Sequence, residues 1–411
     1  MHIAITGPVA TENISQFLNG DTTALPSGYT GAPFMATLIG ELLKRGHTVS
    51  AFTLSSDIPL NSDEVIAHGE NFSMHYIPMR PKAWPFNGWR LGRILDLYYF
   101  ERCGLKNTIK AASPDIVHAH WAYEFAWATL STGLPHVITC HDSPFLIARF
   151  YNETTLKFKA YRWLRACMAK YVLSKAQSVT TVSPYMIEQI QPMCRVKVSV
   201  VPNPITAAAF ALHQRPQQAR ARIMMVCNGW SKLKNGQTAL SAFALLSQRL
   251  PAAELTVYGT DFGSNQLAQQ WWQAQGLAGN IKFAGAVTHK QILEGMTRSD
   301  VLLHSSLEES FGAVLAEAMA MGVPVVAGAH SGAVPWVVGE GGLLVDVTML
   351  EEIADALFAL LSDIDLRQRL GKLGHEHASA SFSAEVVANA YEQRYAAALK
   401  QVSKPSGEVM V

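Results

Sequence analysis

Cysteine is scarce in this 411-residue chain. The five present (Cys103, Cys140, Cys167, Cys194 and Cys227) are odd in number and form no C-x-x-C pair. That scatter excludes a disulfide framework and fits reduced, structural thiols. No apolar run reaches the roughly eighteen residues that a membrane-spanning helix needs, and the opening MHIAITGPVA lacks the basic region and long apolar core of a secretory signal. A cytoplasmic protein is therefore expected. Charge is also sparse: 33 Lys+Arg balance 32 Asp+Glu to a net charge of +1, which argues against a general nucleic-acid binder. No G-x-G-x-x-G follows the first strand-like run HIAITG, and no acid is placed to hold the ribose of a dinucleotide, so a nicotinamide enzyme is disfavoured.

Hydrophobic residues make up 49% of the chain, and its length exceeds one compact core, so two well-packed domains are expected. In the first half HIAITG, HTVSAFTL, DIVHAH, HVITCH and SVTTVS read as strands separated by helical stretches such as PFMATLIGELLKRG. VSVVPNPI then runs into a Pro202-Asn203-Pro204 connection. The pattern restarts with RIMMVCNG, the helix TALSAFALLSQRL, and strands ELTVYG, IKFAG, VLLHS and VPVVAG. Alternation of this kind predicts two doubly wound, Rossmann-like α/β domains facing a cleft, with ligands outside the carboxyl ends of the strands. The expected division is 1–203 and 204–383, with a last helix at about 384–402 packing back on the first domain and a disordered tail SKPSGEVMV.

The stretch EESFGAVLAEAMAMGVPVV, Glu308 to Val326, carries the most chemistry. Phe311-Gly312 reads as a loop and Ala313 to Met321 as a short helix stopped by Gly322 and Pro324. On a 3.6-residue period this helix is apolar on every side, the pattern of a helix enclosed by protein, so Glu317 is expected to be buried. Its partner is either a nearby backbone group or Arg, or a ligand missing from the free chain. The free N–H groups of Phe311, Gly312 and Ala313 would open an anion site, with Gly312 permitting close approach of a ligand, between Glu309 and Glu317. A second anion site is expected in CNGWSKLKNGQTAL, where Gly229 ends a strand and Lys232 and Lys234 precede a helix. Two carboxylates flanking an anion site suit a sugar nucleotide.

At these residues the sequence resembles retaining glycosyltransferases of the GT-B fold, family 4. Glu309, Phe311, Gly312 and Glu317 match the family's E-x-F-G-x-x-x-x-E, and IKFAGAVTHKQILEGMTRSDVLLHSSLEESFG followed by EAMAMGVPVVAG keeps the family's order through the donor half. DIVHAHW, VITCHDS, TTVSPYM and VSVVPNPI resemble the N-terminal blocks more loosely. The resemblance implies that Glu317 holds the donor ribose, Glu309 contacts the transferred sugar, Lys234 neutralises the diphosphate, and His141 stands near the reacting sugar. Three departures stand out. Trp230 follows Gly229 where many members have Arg, so Lys232 is the candidate substitute. Trp336 stands where a Glu is common. SGYTGAPF, with Gly28 and Gly31, replaces the first Gly-rich loop without its usual acidic and basic followers, and Gly31 is the expected close-approach point.

The implied reaction transfers a hexosyl unit from a nucleoside diphosphate sugar, a UDP-sugar favoured and GDP-mannose the alternative, to a saccharide or lipid-linked acceptor in cell-surface glycan or polysaccharide synthesis. Configuration is retained and no cofactor or metal is required. Asp363-Ile364-Asp365 imitates the metal-binding D-x-D of the other glycosyltransferase fold but reads as a solvated turn. His118 with His120, and His375 with His377, are spaced like ligand pairs without a third ligand. A GT-B sugar-nucleotide epimerase and a noncatalytic glycan- or membrane-binding module are the competing readings. The latter draws on residues 149–175, where Arg149, Lys157, Lys159, Arg162, Arg165, Lys170 and Lys175 face one acid, Glu153, among interleaved aromatics. Such a helix would either lie peripherally on an anionic membrane or turn its aromatics to the core and its bases to water.

Overall fold

The computed structural model describes residues 1–29, 31–146, 155–212 and 221–402. The chain divides into two compact units, one of 1–204 with 387–411 and one of 205–386.

The first unit is built on eight strands: β1 (His2–Thr6), β2 (Thr48–Ser55), β3 (Val65–Gly69), β4 (Phe72–Pro78), β5 (Ile116–His120), β6 (His136–Cys140), β7 (Val179–Thr181) and β8 (Ser199–Val200). They lie in the order β3-β4-β2-β1-β5-β6-β7-β8. Every neighbouring pair is parallel except the β3–β4 hairpin. That hairpin lies at one edge of the sheet. There β3 alternates between half-buried and exposed residues, as a strand wet on one face does, while the inner strands β1, β2 and β5 are buried along almost their whole length. The order reverses between β1 and β5, so the loops leaving Thr6 and His120 flank a topological switch point. VSVV forms only the two-residue β8.

Helix Ala384–Val402 supplies Tyr391 and Tyr395 to this unit's core, where both are fully buried. Their hydroxyls meet Thr139 Oγ1 at 3.2 Å and His118 Nδ1 at 2.7 Å. The tail 403–411 lies outside the described residues.

In the second unit β9 (Arg222–Val226), β10 (Glu254–Tyr258), β11 (Asn280–Gly285), β12 (Val301–His304), β13 (Val325–Gly328) and β14 (Gly342–Val345) form an all-parallel sheet. The order is β11-β10-β9-β12-β13-β14. β14 was not singled out in the sequence because Gly341-Gly342 masks its short apolar run. Numbered within the unit this is 3-2-1-4-5-6, with its switch point between β9 and β12. One face is covered by helix Gly236–Arg249, whose Leu240, Phe243 and Leu246 join Val257 and Leu303 in the core.

Candidate active site

The loops leaving β9 and β12 place the predicted lysine and carboxylate side by side. After β9 the chain turns at Gly229, whose φ of +90° is natural only for glycine. It then makes a short 3-10 turn, Lys232–Lys234. That turn is pinned to the extension of β12: Leu307 donates its N–H to Leu233 O at 2.8 Å, and Ser305 Oγ donates to Lys234 O at 2.9 Å. Lys234 Nζ consequently reaches Glu309 Oε1 at 2.6 Å. The Glu309 carbonyl accepts from Ala333 N at 2.9 Å, which fixes the other end of the loop. Burial alone would raise the Glu309 carboxyl, but a hydrogen bond from His304 Nε2 at 3.5 Å and the Lys234 charge hold it well below the usual carboxylate range. It is an anion at neutral pH. Lys232, by contrast, is exposed and does not join the pair.

Trp230, standing where the resemblance led us to look for a cation, packs edge-on to Phe262 and against Trp271. Its backbone N–H donates to Asp261 Oδ2. This residue anchors the loop. Trp336 likewise packs with Phe311 and Phe382. Phe311 is therefore a core side chain, and only its backbone can meet a ligand.

Gly312 sits at the start of helix Ala313–Ala320 with φ +81°. The N–H groups of Phe311, Gly312 and Ala313 donate to no group among the described residues, as the first turn of a helix requires unless a cap or ligand intervenes. The helix is not wholly enclosed. Leu315, Ala316, Ala318, Met319 and Ala320 are buried, whereas Ala313, Val314 and Glu317 share a partly open side. Glu317, expected to be buried, is mostly so: its side chain keeps 12% exposure. It also has a partner that the sequence reading missed, since His289 Nε2 lies 2.7 Å from Glu317 Oε1. That hydrogen bond raises the His289 pKa against the opposing effect of burial. The signal was present. Thr288 and Gln291 form a capping box that begins helix His289–Met296 and so fixes where His289 points.

In the first unit His141 follows β6 and is buried. Its Nε2 lies 2.8 Å from His120 Nδ1, and its ring packs 4.3 Å from Trp121 and 4.8 Å from Phe34. Burial pushes His141 well below the ordinary histidine range and His120 down to about 3, so both are neutral and one donates to the other. His118 belongs to the same cluster through Tyr395 and Thr139. The metal-like spacing of His118 and His120 is thus explained by packing, and no group of three metal-ligating side chains occurs among the described residues. Gly31 has φ +116° but would meet nothing with a Cβ. At Gly28 a Cβ would lie 2.3 Å from Val9 O, so this glycine is required by the chain's own packing. Asp363 caps helix Ile364–Phe382 through Leu366 N.

The basic stretch does not turn all of its bases to water and all of its aromatics to the core. Helix Leu156–Lys175 carries Arg165 inward to an ion pair with Glu124, over the Tyr123 ring at 3.7 Å, while Trp163 and Tyr171 are exposed beside the lysines. Residues 149–154 lie outside the described residues.

Residues 214–377 match the family model described as glycosyl transferases group 1, and residues 32–208 match the one described as Glycosyltransferase Family 4. The chain is a glycosyltransferase of the GT-B fold. It is similar to the D-inositol 3-phosphate glycosyltransferase of Stackebrandtia nassauensis, 26% identical over 82% of this chain and 80% of that one. The corresponding protein of Corynebacterium jeikeium is 32% identical over 46% of this chain and 47% of its own length. This glycosyltransferase thus spans less than half of one such relative and most of the other. Its backbone is similar to that of sucrose-phosphate synthase from Thermosynechococcus elongatus, with a TM-score of 0.74 at 21% identity, covering 98% of this chain and all of that one.

Proposed function

We propose that this glycosyltransferase moves a hexosyl unit, with retention of configuration, from a nucleoside diphosphate sugar to a hydroxyl of a saccharide or lipid-linked acceptor. The observation that carries the reading is the Lys234–Glu309 pair at the switch point of β9 and β12, beside the open N–H groups of Phe311, Gly312 and Ala313. A diphosphate seated there meets one ammonium group and a helix start, which stabilise the charge that builds as the glycosidic C–O bond breaks. Glu317, four to six residues further along the same helix, is then placed for ribose hydroxyls, and Glu309 for the sugar. Because His304 and Lys234 hold Glu309 ionised, Glu309 acts as a fixed negative charge near the oxocarbenium-like sugar rather than as a proton donor. The acceptor proton passes to the departing phosphate on the same face. No metal has a role in this scheme, because Lys234 and the helix start supply the positive charge.

A UDP-sugar is the favoured donor and GDP-mannose the alternative. A lipid-linked acceptor of a cell-surface glycan would bring the protein to the cytoplasmic face of a membrane, with helix Leu156–Lys175 the contact expected from its composition.

The test is slow donor hydrolysis. UDP or GDP release is followed with a panel of UDP-hexoses, UDP-N-acetylhexosamines, UDP-glucuronate and GDP-mannose. Release from one donor, abolished by Glu309→Ala and by Glu317→Ala with the fold intact by circular dichroism, supports the reading. Silence across the panel, with no nucleotide raising the melting temperature, contradicts it.

A further inference from the structure

The second unit carries a cavity at the end of its sheet away from the Lys234–Glu309 pair. Its volume is about 340 Å³, within the roughly 300–1,000 Å³ of small-molecule pockets. One wall comes from the turns that enter β12 and β13, with Asp300 and Val323. The other comes from the first turns of helix Ile364–Phe382, with Asp365, Arg367, Arg369 and Lys372. Asp300 and Val323 precede their strands whereas Glu309 follows β12, so the length of the sheet separates the cavity from the candidate donor site. The helix is seated firmly at this end. At its buried Gly371 a Cβ would stand 2.3 Å from Gly322 O.

Arg367 is only 3% exposed. Its Nη1 donates to Leu360 O at 3.1 Å and so caps the end of helix Leu350–Ser362. Its Nη2 is buried and has no hydrogen-bond partner among the described residues, nor does any carboxylate there pair with the guanidinium. Capping uses one amino group and leaves the other spare. Arginine does not shed its charge on burial, and a buried cation without a counter-ion is costly. The two acids of the lining do not supply one. Asp300 Oδ2 accepts from Arg222 N at 3.0 Å, and Asp365 is exposed in the first turn of its helix. Arg369 and Lys372 line the same cavity from exposed positions, Lys372 standing 3.8 Å from the exposed Glu376.

We propose that this cavity binds a small anionic metabolite whose phosphate or carboxylate group takes the spare Nη2 of Arg367, with Arg369 and Lys372 beside it. A guanidinium presents its donors in the planar fork that suits such a group. An inorganic ion leaves much of the volume unfilled, so the ligand has a body, which packs on Val323. A single water on Nη2 is the competing account. It calls for neither a cavity of this size nor two further cations. The cavity stands whether or not the transferase reading does.

The test is thermal melting of the full chain in sodium chloride, phosphate or acetate at one pH and ionic strength. Phosphate can also meet Lys234 and the helix start beside it, so the series is repeated in Lys234→Ala. In both backgrounds a saturable rise in melting temperature is expected with phosphate, acetate or both, and the anion that acts names the group the ligand carries. The paired exposed substitution Arg369→Gln/Lys372→Gln should weaken the apparent affinity by about 10-fold or more, as the loss of charge-assisted hydrogen bonds does. Arg367→Met should abolish the rise; if that variant does not fold, the paired substitution decides alone. A rise absent from Lys234→Ala would overturn the proposal. So would a rise that the substitutions leave unchanged, which is how phosphate acts when it stabilises proteins only by exclusion from their surface.

Discussion

His289 Nε2 and Glu317 Oε1 are 2.7 Å apart, so the carboxylate assigned to the donor ribose already has a hydrogen-bond partner in the free chain. The partner's protonation should therefore govern how readily the carboxylate accepts a ligand. The His289 pKa is raised, chiefly by that hydrogen bond. Its contribution to stability is complete below the unfolded histidine value of about 6.5 and is lost as pH rises through the higher folded value. His289→Gln is expected to lower the melting temperature most on the acid side and least at alkaline pH. Donor affinity in the wild type should weaken toward acid, as the imidazolium competes for Oε1, and the substitution should flatten that slope. Melting curves and nucleotide titrations across pH check both.

Lys234→Ala leaves Glu309 mostly buried with His304 as its remaining neighbour. A cost of ~1–3 kcal/mol in folding stability is expected, together with a fall of about 10²–10³ in turnover from the lost positive charge. Because Glu309 is depressed in the folded state, its contribution is present above the ordinary glutamate value and disappears as pH falls through the folded one. Wild type and Lys234→Ala should consequently converge in melting temperature as the pH is taken well below 4.5, the value that Glu309 has when unperturbed.

At Gly312 the φ of +81° strains any side chain, and a Cβ would lie 3.0 Å from Leu315 Cδ1. Gly312→Ala should cost ~1–2 kcal/mol by denaturant melting and tilt the N–H groups of the helix start, raising the donor KM.

Arg80→Leu strands two carboxylates, one of them fully buried, and is expected to lose about 3–5 kcal/mol. The double substitution Arg80→Leu/Glu101→Leu should lose less than either single one, because no buried charge is then left alone. Urea melts of the three variants decide it.

The strands and the carboxylate motif were legible in the sequence because they rest on short-range signals: apolar runs, glycines at strand ends, and a fixed spacing from Glu309 to Glu317. What the sequence hid depends on residues brought together from afar. His289 stands 28 positions from Glu317, and Lys234 stands 75 from Glu309. Arg165 reads as one more base in a cationic helix until Glu124, 41 positions earlier, draws it into the core. The apolar periodicity around Glu317 implied full enclosure because period alone does not reveal which flank has a neighbour. Similarly, Trp230 and Trp336 looked like absent charges, and only the packing of Phe262 and Phe311 against them shows that they stabilise the loops.

The central claim is that one site holds a nucleoside at Glu317 and its diphosphate at Lys234. Calorimetric titration of UDP, GDP and the parent nucleosides into wild type, Glu317→Ala and Lys234→Ala tests it most directly. One base should bind. Glu317→Ala should weaken both its nucleoside and its diphosphate by about 10- to 100-fold, whereas Lys234→Ala should weaken the diphosphate alone. Binding of neither nucleotide, or affinities that both substitutions leave unchanged, would contradict the account.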